Sequence, residues 1–190
     1  SMLRRITFSK FIFISITTMC TVIGQDVSTT LIAFGLHSHE FKAYDYSTDS
    51  WESLTNPGFN GVKSALAYNM NNGKIFAHGY YSHEFKAYDY STDSWESLTS
   101  PGFEGTDGIA LAYDINNGKI FAHGAYSHEF KAYDYSTDSW ESLTSSGFNN
   151  PPSGGIALTY DMNNRKIFAY GANSHEFKAY DYSTDSWESL

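Results

Sequence analysis

A chain of 190 residues with 41% hydrophobic and 17% aromatic content can bury a core and suits one compact domain, which excludes a disordered tail. The formal net charge is −9; residues 1–24 hold Arg4, Arg5 and Lys10 and no acid, so the remainder carries 9 bases against 21 acids, or −12. Such a surface repels phosphate, and no basic cluster relieves it, so nucleic acid is excluded as a partner.

After Ser1 the chain reads MLRRITFSK, a basic stretch, and then FIFISITTMCTVIG, an apolar run too short to span a bilayer comfortably. Val22 and Gly24 offer a cleavage site before Gln25. This pattern predicts an export signal over residues 1–24, a secreted or extracytoplasmic chain and no stable membrane span. A second assignment competes with it. Aligning Gly35 with Gly79 lays residues 20–25 over residues 64–69, which makes them the first strand of a first repeat, and cleavage at Gly24 would delete that strand. The only cysteine is Cys20, so a chain cleaved there has neither disulfide nor thiol nucleophile.

From there the chain is repetitive. The phrase SHEFKAYDYSTDSWESL occurs four times unchanged, at residues 38–54, 82–98, 127–143 and 174–190, and its histidines are 44, 45 and 47 residues apart. A period of that size marks a repeat architecture with one supersecondary unit per copy, here approximately residues 25–55, 56–99, 100–144 and 145–190.

Each unit reads as four strands. In the second, KSALAYNM (63–70) and GKIFAHG (73–79) flank Asn72-Gly73, a pair that predicts a tight hairpin with two positive-φ residues. Asn117-Gly118 repeats the device, while Asn164-Arg165 and Ser28-Thr29 weaken it in the end units. HEFKAYDY predicts a third strand, Tyr-Ser-Thr-Asp-Ser a turn held by side-chain bonds to backbone, and SWESLT a fourth. In the third strand Phe41, Ala43 and Asp45 alternate with Lys42, Tyr44 and Tyr46, so both faces carry large apolar surface. That pattern suits a sheet packed on both sides, as in a propeller blade.

The run IFAHG followed by Tyr88, Asp89, Thr92, Trp95 and Leu98 resembles the kelch repeat, and the resemblance extends over residues 31–190. One departure is systematic: where kelch repeats carry a second glycine after the second strand, this chain has Leu36, Tyr80, Ala125 or Ala172. The resemblance implies an all-β fold, a β-propeller of four kelch-like four-stranded antiparallel blades, the first incomplete if the leader is removed. It also implies that Trp51, Trp95, Trp140 and Trp187 are core, and that the Ser-His-Glu corners lie on a ligand-binding face with the loops between blades. Four is the low end of propeller size; closure as a small ring is expected, with a homodimer completing eight blades as the alternative.

The candidate ligand-binding residues follow from that placement. They are the corner pairs His39 and Glu40, His83 and Glu84, His128 and Glu129, and His175 and Glu176, with Phe59, Phe103 and Phe148 as exposed anchors on the inter-blade loops. No Ser-His-Asp spacing, phosphate loop or HExxH motif is present, so no enzyme and no cofactor are expected. Histidines ringed on separate corners sit too far apart for zinc, whose ligands lie at about 2.0–2.2 Å, so no metal is expected. His78 and His123 stand where the other units have Phe34 and Tyr170, which points to packing.

The function expected is a non-catalytic exported module recognising a protein partner through loops on one face. Identical copies also suit a multivalent glycan binder with Tyr, Trp and His as platforms. A third reading is a piece that self-assembles into a larger ring. Packing alone gives no reason for the faithful repetition of Lys42, Ser47, Asp49 and Glu52.

Overall fold

The computed structural model describes residues 21–24 (backbone), 30–35, 39–59, 64–79, 83–103, 109–125, 127–148 and 155–190. All of its regular structure is β. The first sheet comprises β1 (Thr21–Gly24), β2 (Thr30–Phe34), β3 (Phe41–Asp45) and β4 (Ser50–Leu54). The second comprises β5 (Ala65–Asn69), β6 (Lys74–His78), β7 (Phe85–Asp89) and β8 (Ser94–Leu98). The third holds β9 (Ile109–Asp114), β10 (Lys119–Gly124), β11 (Phe130–Asp134) and β12 (Ser139–Leu143). The fourth holds β13 (Ile156–Asp161), β14 (Lys166–Gly171), β15 (Glu176–Asp181) and β16 (Ser186–Ser189). Within each sheet the strands pair antiparallel in chain order, giving four blade-like units.

β1 pairs with β2 with Thr21 opposite Phe34 and Gly24 opposite Leu31, the register of Ala65 opposite His78 and Tyr68 opposite Ile75 one repeat later. The strand assignment for Thr21–Gly24 therefore has its place in the first sheet. Residues 1–20 and Gln25, the rest of the expected leader and its cleavage point, lie outside the described residues. Among the described residues no helix is long and apolar enough to cross a membrane.

The hairpins differ from the two-residue turn expected at Asn-Gly. Asn69 pairs with Lys74, so four residues form the loop, and only the last of them, Gly73 (φ 73°), is left-handed. Asn69 causes this: its Oδ1 accepts from Asn71 N at 2.9 Å and its carbonyl from Gly73 N at 2.8 Å, a side-chain-stabilised turn that fixes the longer loop. Gly118 and Arg165 repeat the left-handed position, and Asp49, Asp93, Asp138 and Asp185 hold it in the turns before the fourth strands.

The buried side chains gather between sheets, not within them. Ile32, Phe34 and Phe41 of the first sheet pack with Leu66, Ile75 and Tyr88 of the second. Phe76 and Phe85 meet Ile109, Leu111 and Tyr133 of the third. Phe121 and Phe130 meet Leu158, Ile167 and Tyr180 of the fourth. Third strands such as β7 therefore bury both faces, Phe85 toward the following sheet and Tyr88 toward the preceding one.

The first strands stack in chain order, β1 on β5, β5 on β9 and β9 on β13. Among the described residues β13 has no such packing on β1, so the four sheets form an open arc, contrary to the small closed ring expected. The outer faces of the arc are correspondingly bare: Trp51 is 53% exposed in the first sheet and Phe177 44% exposed in the last, whereas Phe41, Phe85 and Phe130 are each 1% exposed.

Candidate functional site

Antiparallel order puts the corner between the second and third strands of each sheet at the same end as the loop to the next sheet. Ser100 Oγ, on the loop from the second sheet to the third, donates to His83 O at 2.7 Å and ties the two together. This end carries every candidate residue named from the sequence.

The loop phenylalanines are not the exposed anchors expected. Phe59, Phe103 and Phe148 are 5%, 6% and 3% exposed and sit in the three inter-sheet cores. The left-handed glycines just before them, Gly58, Gly102 and Gly147, bend the loop inward, so that each ring plugs a seam. A lysine of the following sheet caps each plug. Lys86 Nζ lies 5.5 Å from the Phe59 ring, Lys131 4.8 Å from Phe103 and Lys178 4.9 Å from Phe148. Lys86 also donates to Pro57 O and Lys131 to Pro101 O at 2.7 Å, and Lys178 to Ser146 O and Gly147 O at 2.9 Å.

The glutamates of the corners serve these lysines. Glu84 lies 3.1 Å from Lys86, Glu129 3.2 Å from Lys131 and Glu176 3.7 Å from Lys178; Glu40 and Lys42 pair at 2.9 Å in the first sheet. Lys42 and its copies thus have a structural reason to recur, which the sequence did not reveal.

The other unexplained polar residues bind one sheet to the next. Thr55 N and Oγ1 donate to Asp93 at 2.7 and 2.9 Å, Thr99 to Asp138 at 2.8 and 3.0 Å, and Thr144 to Asp185 at 2.8 and 2.9 Å. Tyr88, Tyr133 and Tyr180 donate to the same aspartates at 2.6 Å. Those bonds, chiefly the tyrosine hydroxyl, hold Asp93, Asp138 and Asp185 below the ordinary carboxylate range. Tyr90 donates to Glu52, Tyr135 to Glu96 and Tyr182 to Glu141 across the seams. Ser47 and its copies close the turn on the preceding aspartate, Ser47 N to Asp45 Oδ1 at 2.7 Å.

The tryptophans are seam residues as well, and not fully core. Trp95, Trp140 and Trp187 are half-buried and donate Nε1 to Thr55 O, Thr99 O and Thr144 O at 2.7, 2.7 and 2.9 Å. Their faces pack on the preceding sheet's phenylalanine, as Trp95 does on Phe41 at 5.0 Å between centroids.

What remains at this end is histidine. His39, His83 and His175 are exposed; His83 and His175 hold left-handed backbone at φ 53° and 55°, which turns the corner sharply. His128 is half-buried, and with Glu129, Lys131, Ser142, Leu143 and Ser145 it lines a cleft of about 270 Å³. Its Nδ1 is buried without a hydrogen-bond partner.

His78 and His123 are packing residues, as their exchange with aromatics indicated. They are 2% and 0% exposed, and burial pushes both imidazoles down to about 4. His123 bonds Gly124 O through Nδ1 at 2.8 Å and Ser146 Oγ through Nε2 at 2.7 Å. This His-Ser pair has a carbonyl where a nucleophile's base needs a carboxylate, and both residues are buried. His78 Nδ1 has no partner. Among the described residues no three His, Cys, Asp or Glu side chains gather as a metal-binding set.

No protein-family model and no curated protein matches the chain. Among solved structures it is similar to a structural genomics protein of unknown function from Bacteroides thetaiotaomicron, with a TM-score of 0.69 and 13% sequence identity over 86% of this chain. The match spans 41% of that protein, about two-fifths of its length. At that identity the likeness extends to the fold, an all-β assembly of several sheets compatible with a propeller.

Proposed function

We propose that this chain is a non-catalytic, exported binding module, a kelch-like propeller arc that recognises a protein partner through the end of its sheets bearing the histidine corners. The observation that carries the reading is how the repeated phrase uses its functional groups. At the three interior seams lysine, aspartate, glutamate, tyrosine and tryptophan of the phrase are committed to contacts between sheets, while His39, His83 and His175 stay exposed at the corners of the sheets. Groups locked in such bonds are unsuited to acid-base or nucleophilic work. The cleft beside His128 and Glu129 adds a recessed point for a partner side chain.

The glycan alternative rests on an exposed ring beside a corner histidine: Tyr170 OH lies 3.4 Å from His175 Nδ1. The equivalent rings Phe34, His78 and His123 are buried, so this particular ring does not recur with the repeat, and a multivalent glycan site would rest on the exposed corner histidines instead. The test places a photo-crosslinking residue at His83 or, at the opposite end, at Asn116, and exposes each chain to the extracellular fluid of its source. A specific protein adduct from position 83 that disappears on changing His39 and His175 to Ala is the expected result. Adducts only from position 116, or glycan-array binding that survives loss of all four corner histidines, would reject the reading.

A further inference from the structure

The two bare faces of the arc are the two halves of a seam that the chain already builds three times. In each interior seam a phenylalanine of one sheet inserts against a tyrosine and tryptophan of the next. The centroid distances barely vary: Phe41 to Tyr88 4.9 Å and to Trp95 5.0 Å, Phe85 to Tyr133 4.9 Å and to Trp140 5.1 Å, Phe130 to Tyr180 4.8 Å and to Trp187 4.9 Å.

One aromatic pair on each unfilled half holds the geometry of its filled counterpart. On the first sheet Tyr44 and Trp51 lie 5.0 Å apart at 46°, matching Tyr88 and Trp95 at 5.0 Å and 46°. On the last sheet Phe168 stacks on Phe177 at 5.4 Å and 21°, close to Phe121 on Phe130 at 5.6 Å and 23°. The polar complement is present too. Tyr46, 55% exposed, occupies the position from which Tyr90, Tyr135 and Tyr182 donate across a seam, and Glu188 the position of the acceptors Glu52, Glu96 and Glu141.

We propose that the last sheet of one copy docks on the first sheet of a second copy, head to tail, with Phe177 seated between Tyr44 and Trp51 of that copy and Tyr46 donating to Glu188. The occupant is a second copy because each face is complementary to the other face of the same arc and not to itself. A heterologous contact of this kind closes only when the rotation per sheet returns to its start. The four sheets match 41% of a longer all-β chain, and in this arrangement two arcs close one ring of eight sheets.

The residues that test this are exposed in the single arc, so their substitution leaves its interior seams in place. Sedimentation of the 190-residue chain over a range of concentrations reports a reversible monomer to dimer equilibrium. Phe177→Glu and Trp51→Glu each return the chain to monomer, with circular dichroism unchanged. Mixed together, the two variants regain a heterodimer, because one intact seam survives between them; a contact of each face with itself has no such rescue. A monomer at every concentration leaves the faces to another occupant, such as further sheets of a longer chain, and overturns the proposal. So do a dimer that persists through both substitutions and assembly into open filaments.

Discussion

Four identical phrases allow the same substitution to be made in four environments, and the arc says what each costs. Phe85 and Phe177 have the same neighbours in sequence, but Phe85 is 1% exposed between two sheets and Phe177 is 44% exposed on a bare face. A phenylalanine buries ~200 Å² when enclosed, so the difference in exposure is about 85 Å², or ~2 kcal/mol at about 25 cal/mol per Å². Phe85→Ala also opens a cavity against Tyr133 and Trp140, and its total cost is about 3–5 kcal/mol. Phe177→Ala loses the stack on Phe168 and opens no cavity; its cost is about 1–2 kcal/mol. Urea unfolding of both variants, on samples dilute enough to be monomeric, measures the difference. Costs equal within about 0.5 kcal/mol would refute the open arc, since that equality requires a sheet covering Phe177.

Three further outcomes follow from the seams and turns. His78 and His123 titrate near 4 when folded against 6.5 unfolded, so below pH 6.5 the unfolded chain binds protons the folded one does not. Stability is then full above pH 6.5 and falls as pH drops toward 4, by about 3 kcal/mol for each histidine; His78→Phe removes roughly half of that loss in denaturant titrations run across this window. Asp138→Asn weakens the Thr99 and Tyr133 bonds and costs about 1–2 kcal/mol, whereas Asp49→Asn, which among the described residues serves only Tyr44, costs less than about 0.5 kcal/mol; equal midpoints in denaturant would contradict the seam assignment. Arg165 holds φ 54° where Gly73 and Gly118 stand in other repeats, so Arg165→Gly raises thermal stability by about 0.5–1 kcal/mol, and a lowered melting temperature would contradict it.

The repeat, the second to fourth strands of every unit, the first strands of the last three units and the all-β class were legible in the sequence alone. These are local properties: a period of 44 to 47 residues, alternation along the third strand and turn chemistry are all carried by neighbours in the chain. The double-sided third strand was legible for the same reason, and so was the packing role of His78 and His123, from their exchange with Phe34 and Tyr170. Tertiary structure decided everything that depends on which sheet lies beside which. Lys86, Asp93 and Glu96 look like solvated surface in the sequence, and only the approach of adjoining sheets shows them capping Phe59, latching Thr55 and accepting from Tyr135. The loop phenylalanines were misread as exposed because a Pro-Gly-Phe loop carries no local sign of turning inward; the seam that takes the ring lies between residues distant in sequence. Openness of the arc was beyond reach too, since four identical phrases cannot state that Phe177 is bare while Phe85 is enclosed. That contrast belongs to position in the stack, where an interior sheet has two neighbours and an end sheet has one.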